Sequence, residues 1–166
     1  MMNDGNLRFR AEPGADGCEI VREITMSSGY FNEEEVEVAV SLVAERLEKG
    51  EASGYYFRFA ERDGRAVGYT TFGPIAGTDQ RYDLYWIAVA EEERGTGIGK
   101  VLLKETEQAI LAAGGARIFV ETSSRPDYVS TRRFYEATGY SHVVTIEGFY
   151  RKGDGKALYV KILRED

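Results

Sequence analysis

The 166-residue chain contains one cysteine, one histidine and three prolines. With Cys18 alone, an internal disulfide and any cysteine-based metal cluster are excluded. With His142 alone, multi-histidine zinc or iron sites are excluded, no metal is expected, and a Ser-His-Asp triad has a single place to stand. Glycine is plentiful at 19 residues, yet so little proline accompanies it that the chain is neither collagenous nor low-complexity. No apolar run approaches the ~18 residues that a membrane span needs. The opening MMNDGNLRFRAEPGADG also lacks the apolar segment of a secretory signal. These absences lead to the expectation of a cytoplasmic, soluble protein with a reduced Cys18 and no membrane partner. At the usual ~150 residues per domain, residues 1–166 should form one domain.

Positive charge is also in deficit, with 21 basic against 28 acidic side chains and a net charge of −7. A nucleic-acid binder would carry a basic stripe, so that class is disfavoured. The distribution is uneven. Residues 1–50 hold 5 basic and 11 acidic side chains, residues 51–93 hold 4 and 8, and residues 94–166 hold 12 and 9. The sign changes at Arg94. One reading is ordinary solvated surface; the other is an enzyme whose first half attracts a cation while its second half holds an anion.

Leu7 to Arg10 alternates as a short strand, and residues 16–27 form a short helix with Ile20, Val21 and Ile24 on one side. Asn32 and Glu35 have capping-box spacing, Phe31 and Val36 fit a hydrophobic staple, and Val36, Val40, Val43 and Leu47 recur at helical spacing up to Gly50. Tyr55 to Ala60 and Arg65 to Phe72 read as a hairpin around Asp63-Gly64. Asp83 to Val89 (DLYWIAV) is nearly all apolar, as expected of a strand buried on both faces. A helix over about 97–113 follows, then a strand at Arg117 to Glu121 and a short helix over 128–137 closed by Gly139. Val143 to Ile146 and Ala157 to Ile162 make a final hairpin with a long tip, Glu147 to Lys156. The chain is therefore α/β, with antiparallel strands first and a parallel, right-handed strand–helix–strand crossover after them.

Between the DLYWIAV strand and its helix lies Arg94-Gly95-Thr96-Gly97-Ile98-Gly99-Lys100. Alternate glycines let a ligand approach the backbone, and N–H groups at a helix start attract anions, phosphates above all. Arg94 and Lys100 add full positive charges. A Walker A loop needs four residues between its first glycine and Gly-Lys, then Ser or Thr; here there are three, and Val101 follows. The dinucleotide fingerprint G-x-G-x-x-G is not matched either.

Arg94 to Gly99 resembles the R/Q-x-x-G-x-G/A signature of the GNAT (GCN5-related) N-acetyltransferase superfamily. Phe134-Tyr135-Glu136-Ala137-Thr138-Gly139-Tyr140 resembles that family's F-Y-x-x-x-G-F/Y segment, and Asp83 to Val89 its fourth strand. The likeness covers about residues 80–163. It implies a mixed, mostly antiparallel sheet flanked by helices, whose fourth and fifth strands run parallel and splay apart around acetyl-CoA. It further implies that the pyrophosphate rests on the backbone of Arg94, Gly95, Thr96, Gly97, Ile98, Gly99 and Lys100. Ile87, Ala88 and Val89 would pair with the pantetheine arm. Tyr135 matches the family's proton donor near the sulfur. Asp83 falls where many members carry a carboxylate that takes the amine proton, although Glu is commoner there. Where the family often has Asn to contact the cofactor arm, this chain has Tyr128; that contact is absent or is made by Thr122, Ser123 or Ser124.

The residues suit that chemistry. An amine of pKa ~10.4 is neutral in roughly one molecule in 2,500 at pH 7, a handicap of about 4.6 kcal/mol. A carboxylate that removes its proton is therefore useful, whether Asp83 or Glu121 serves, or ordered water instead. A thiolate leaving group gains from a donor such as Tyr135, and a backbone N–H such as that of Val89 would polarise the thioester oxygen. Cys18 lies outside every motif, so direct attack by the amine in a ternary complex is expected. The acidic first half and its many tyrosines suit a primary amine, small molecule or peptide, with Tyr30, Tyr85, Trp86 and Phe149 as acceptor-side candidates. Tyr85 and Trp86 point opposite ways, so one of them is core. Glu91 to Glu93 reads as a solvated loop, and His142 as a surface or satisfied strand residue. The alternative function is a non-catalytic acyl-CoA binding or sensing module. The oligomeric state stays open, a homodimer included.

Overall fold

The computed structural model describes residues 6–166. The opening MMNDG, part of the segment read above for want of a secretory signal, lies outside them. Along the chain run β1 (Leu7–Arg10), α1 (Gly17–Ser27), α2 (Glu33–Lys49), β2 (Tyr56–Arg62), β3 (Arg65–Pro74), β4 (Arg81–Val89), α3 (Ile98–Ala112), β5 (Arg117–Ser123), α4 (Val129–Ala137), β6 (Ser141–Arg151) and β7 (Asp154–Ile162). The strands form a mixed seven-stranded sheet in the order β1-β2-β3-β4-β5-β7-β6. β1–β2, β2–β3, β5–β7 and β6–β7 are antiparallel, and β4–β5 is parallel. Among the described residues no helix is long and apolar enough to cross a membrane.

The chain divides into two compact units. One comprises the described chain up to Gly73 with Trp86–Ala109; the other comprises Pro74–Tyr85 with Ile110–Asp166.

In the first unit, the expected capping box is present: the Glu35 N–H donates to Asn32 Oδ1 and the Asn32 N–H to Glu35 Oε2, both at 2.8 Å. It fixes where α2 begins and so which face Val36, Val40 and Val43 bury against Phe57, Phe59 and Tyr69. Asp63 and Gly64 both have positive φ, 52° and 81°, the geometry of a two-residue hairpin turn. A bulge follows, because Ala60 pairs with Gly68 and Glu61 with Ala66. Val67 is left over and joins Ala60, Ile98 and Leu102 in a second apolar cluster that seats α3.

In the second unit, Ile118, Val120, Ala157 and Tyr159 are buried on β5 and β7, together with Tyr135 of α4 and Tyr140 beyond it.

Two expectations are corrected. β4 is not buried on both faces; only Leu84 and Ala88 are buried, and Tyr85 is 39% exposed. Its pairing with β5 runs from Arg81↔Arg117 to Leu84↔Val120 and stops, while β4 continues to Val89 and β5 to Ser123. The second half of the strand therefore lacks the flanking ladder that full burial of a parallel strand requires. The final hairpin has no long loop either. Pairing resumes at Arg151↔Asp154 after Ile146↔Lys156, so Glu147, Gly148, Phe149 and Tyr150 bulge opposite Gly155 alone. The left-handed Gly148 (φ 65°) accommodates the bulge.

Candidate active site

The first unit carries the glycine turn. Gly95 and Gly97 have φ of 76° and 84°, where a side chain would be strained, so both need to be glycine. Residues 94–97 are exposed, whereas Ile98 is buried under the start of α3 and anchors it. The first i→i−4 bond of the helix runs from the Val101 N–H to the Gly97 carbonyl at 3.3 Å. The N–H groups of Gly97, Ile98, Gly99 and Lys100 precede that ladder, at the positive end of the helix dipole. Two other donors of the turn are already used: the Arg94 N–H bonds the Glu91 carbonyl and the Thr96 N–H the Glu93 carbonyl. Of the stretch read from sequence as anion-binding, Arg94 and Thr96 therefore have their N–H groups occupied within the turn itself.

A residue read as solvated loop shapes this turn. Glu93 is 9% exposed. Its carboxylate accepts from Arg62 Nε at 2.9 Å and from the Thr96 hydroxyl at 3.2 Å, and that hydroxyl also donates to the Glu93 carbonyl at 2.6 Å. Glu93 therefore ties the turn to β2. Its acidic neighbours disguise it, because its partner Arg62 lies 31 residues away and no local pattern marks the pair.

Tyr30, expected beside the acceptor, has the Arg94 guanidinium 5.0 Å above its ring. Trp86 packs edge-on to Phe31 at 4.9 Å against the α2 core, which makes Tyr85 the exposed member of the pair. Ala88 is buried in that core, and Ile87 and Val89 are half-buried.

The second unit holds the ionisable groups. Asp83 is half-buried on β4. Burial raises its carboxyl above the ordinary value, the charge of Glu121 raises it further, and Lys156 opposes them. Lys156 Nζ lies 3.1 Å from Glu121 Oε2 and 3.8 Å from the centre of the Phe149 ring. Tyr135 is 4% exposed and sits among the rings of Phe134, Tyr140 and Tyr159, with centroids 5.6, 5.6 and 6.1 Å away. Burial pushes its phenol well above the usual tyrosine range.

The candidates at the end of β5 are largely committed to structure. Thr122 and Ser123 are buried. The Ser123 hydroxyl donates to Asp154 Oδ1 at 2.5 Å and accepts from the Arg125 N–H at 3.1 Å. Tyr128 is buried beneath the Arg125 guanidinium, 5.2 Å from its ring centre. His142 is exposed, with Nε2 2.8 Å from the Thr145 hydroxyl, and Cys18 is a free, half-buried thiol. Among the described residues no group of three His, Cys, Asp or Glu side chains could hold a metal.

Residues 19–140 match the model of the acetyltransferase (GNAT) family, so the chain belongs to that family. A crystal structure from Desulfovibrio desulfuricans, assigned to the same family, superposes with a TM-score of 0.93 at 40% identity, covering 95% of this chain and 99% of that one. An aminoglycoside 6'-N-acetyltransferase complexed with coenzyme A superposes with a TM-score of 0.75 at 14% identity over 96% and 98% of the two chains, a likeness of fold. An N-acetyltransferase of Methanocaldococcus jannaschii is 33% identical over 105 residues, 63% of this chain. The match spans 65% of that relative's length.

Proposed function

We propose that this GNAT-family chain is an acetyl-CoA-dependent N-acetyltransferase acting on a primary amine of a small molecule or peptide. The observation that carries the reading is the exposed turn with left-handed Gly95 and Gly97 at the head of α3, within the family match. A diphosphate suits this turn: the N–H groups of residues 97–100 precede the α3 hydrogen-bond ladder, Gly95 and Gly97 carry no side chain to obstruct an approaching ligand, and Arg94 and Lys100 supply positive charge. The coenzyme A bound in the aminoglycoside acetyltransferase relative supports the same choice of donor. When bound, acetyl-CoA supplies an activated acetyl group as a thioester.

The chain's own residues do the rest. Asp83 takes the proton of the acceptor ammonium so that the neutral amine can attack, and its raised pKa makes it a stronger base than an ordinary carboxylate. The Val89 N–H is the donor assigned to the carbonyl oxygen. Tyr135 stays protonated and offers its O–H to the developing thiolate. Full transfer to a thiolate of pKa ~8.5 would run uphill by about 2 kcal/mol even from an unperturbed phenol, and burial increases that. Its contribution is therefore a hydrogen bond to sulfur, with solvent completing the protonation. Ile87, Ala88 and Val89 are the backbone that pairs with the pantetheine arm. Tyr85 and Phe149 are the exposed aromatics assigned to the acceptor.

The experiment is incubation of the protein with acetyl-CoA and a panel of primary amines in the presence of a thiol reagent. CoA release that depends on the amine and is lost in Asp83→Asn supports the reading. If acetyl-CoA raises the melting temperature but no amine in the panel releases CoA, the chain is instead a binding or sensing module.

A further inference from the structure

Lys156 has unusual surroundings. It is opposite Ser123 in the β5–β7 register and opposite Ile146 in the β6–β7 register, where the β6 bulge begins. That bulge carries Phe149 over the Lys156 ammonium, 3.8 Å from its ring centre, and Glu121 Oε2 lies 3.1 Å from the same nitrogen. The lysine side chain is only 17% exposed, whereas the Glu121 side chain and Phe149 are each about half exposed. A carboxylate and an aromatic face converging on one ammonium is how proteins bind cationic ligands. Here the binding arrangement is complete, accessible from solvent on its carboxylate and ring, and filled by the protein's own lysine. Asp83 pairs with Phe119, two residues before Glu121 on β5, and Glu121 of β5 and Lys156 of β7 are the charged groups that act on it.

We propose that Lys156 is the acceptor-selecting residue of this enzyme. Its ammonium fills the Glu121–Phe149 subsite that a second cationic centre on the acceptor would otherwise occupy, so monoamines are preferred over diamines. The inference rests on Asp83 being the base of the proposed reaction, because it is the reacting amine beside Asp83 that brings a second charge within reach of Glu121. In a diamine bound by a protein lacking Lys156, one nitrogen gives up its proton to Asp83 and the other remains an ammonium on Glu121 and Phe149. In the native protein that second ammonium meets a like charge.

The test compares butylamine and 1,4-diaminobutane as ligands and as acceptors in wild type, Lys156→Met and Lys156→Arg. By calorimetry and by kcat/KM, Lys156→Met is expected to shift the preference toward the diamine at least tenfold, and Lys156→Arg to keep the native preference. The acid limb of the kcat/KM pH profile should move to higher pH in Lys156→Met, which removes the cation that favours ionised Asp83. It should move lower in Glu121→Gln, which removes the opposing anion; a merely structural lysine would leave the diamine preference unmoved. If methionine unfolds the hairpin, Lys156→Gln carries the same expectation. A folded variant whose diamine preference stays within twofold of wild type overturns the proposal. Normal butylamine turnover with unchanged preference would refute this selection alone. Absence of CoA release with any amine, alongside a gain in diamine affinity, would refute the acetyltransfer reading alone.

Discussion

The Arg94 guanidinium lies over the ring of Tyr30 with its carbon 5.0 Å from the ring centre. Arg94 begins the glycine turn, and Tyr30 belongs to the connection between α1 and α2, 64 positions earlier in the chain. The tyrosine read as an acceptor contact thus presents its π face to the side chain proposed above to meet the diphosphate. The ring limits the conformations of a long side chain and leaves its N–H groups free to turn outward.

Loss of that ring should therefore be felt in cofactor binding. Tyr30→Leu is expected to raise the KM for acetyl-CoA about two- to fivefold, equivalent to the ~0.5–1 kcal/mol of an exposed cation–π contact, with kcat unchanged. Tyr30→Phe keeps the π face and should behave as wild type. A fall in kcat with KM unaltered would return Tyr30 to the acceptor side.

Glu93 should matter for stability as well as for binding. Glu93→Ala removes the partner of Arg62 and one acceptor of the Thr96 hydroxyl. Arg62 keeps some contact with solvent, so a loss of about 2 kcal/mol is expected. In a domain of this size that lowers Tm by roughly 4–8 °C. Differential scanning calorimetry gives the Tm, and a titration with CoA should show weakened binding at the same time. An unchanged Tm would mean that the Glu93 pair contributes nothing to the turn.

Asp83 should trade stability for activity. Its pKa is raised in the folded state, by burial first and by Glu121 second. Between the ordinary aspartate value of ~3.9 and that raised value, the folded protein holds a proton that the unfolded chain has released. Stability therefore declines as pH rises through this window and stays diminished above it. Asp83→Asn should lower kcat by about 10²- to 10⁴-fold while its Tm at pH 7 equals or exceeds that of wild type. The gap in Tm should close toward pH 3.5. A variant that loses several degrees at pH 7, or that retains its rate, would contradict the assignment. In the wild type, the acid limb of kcat/KM should fall above the ordinary carboxylate range.

Local chemistry explains what the sequence made readable. A capping box needs Asn32 and Glu35 three residues apart, a hairpin needs Asp63-Gly64, and the turn before α3 needs glycine where φ is positive, all within a few positions. The hidden features depend on partners far along the chain. Glu93 is buried by Arg62, the upper half of β4 is left open because the ladder with β5 ends at Leu84, and Phe149 reaches Lys156 through a bulge set by the β6–β7 register. Alternation of side chains within Glu147 to Lys156 gives no sign of that bulge, since pairing is interrupted and then restored beyond it.

Gly97, left-handed in the glycine turn, is the position whose substitution most directly tests acetyl-CoA binding there. Aspartate there would meet a left-handed backbone, at a strain of roughly 1–2 kcal/mol, and would place a negative charge against the diphosphate. Acetyl-CoA titrated calorimetrically into wild type should give saturable binding at a 1:1 ratio. Gly97→Asp, folded and with Tm within a few degrees of wild type, should bind at least a hundredfold more weakly. Equal affinity in the two proteins, or no heat from wild type at millimolar acetyl-CoA, would contradict the account.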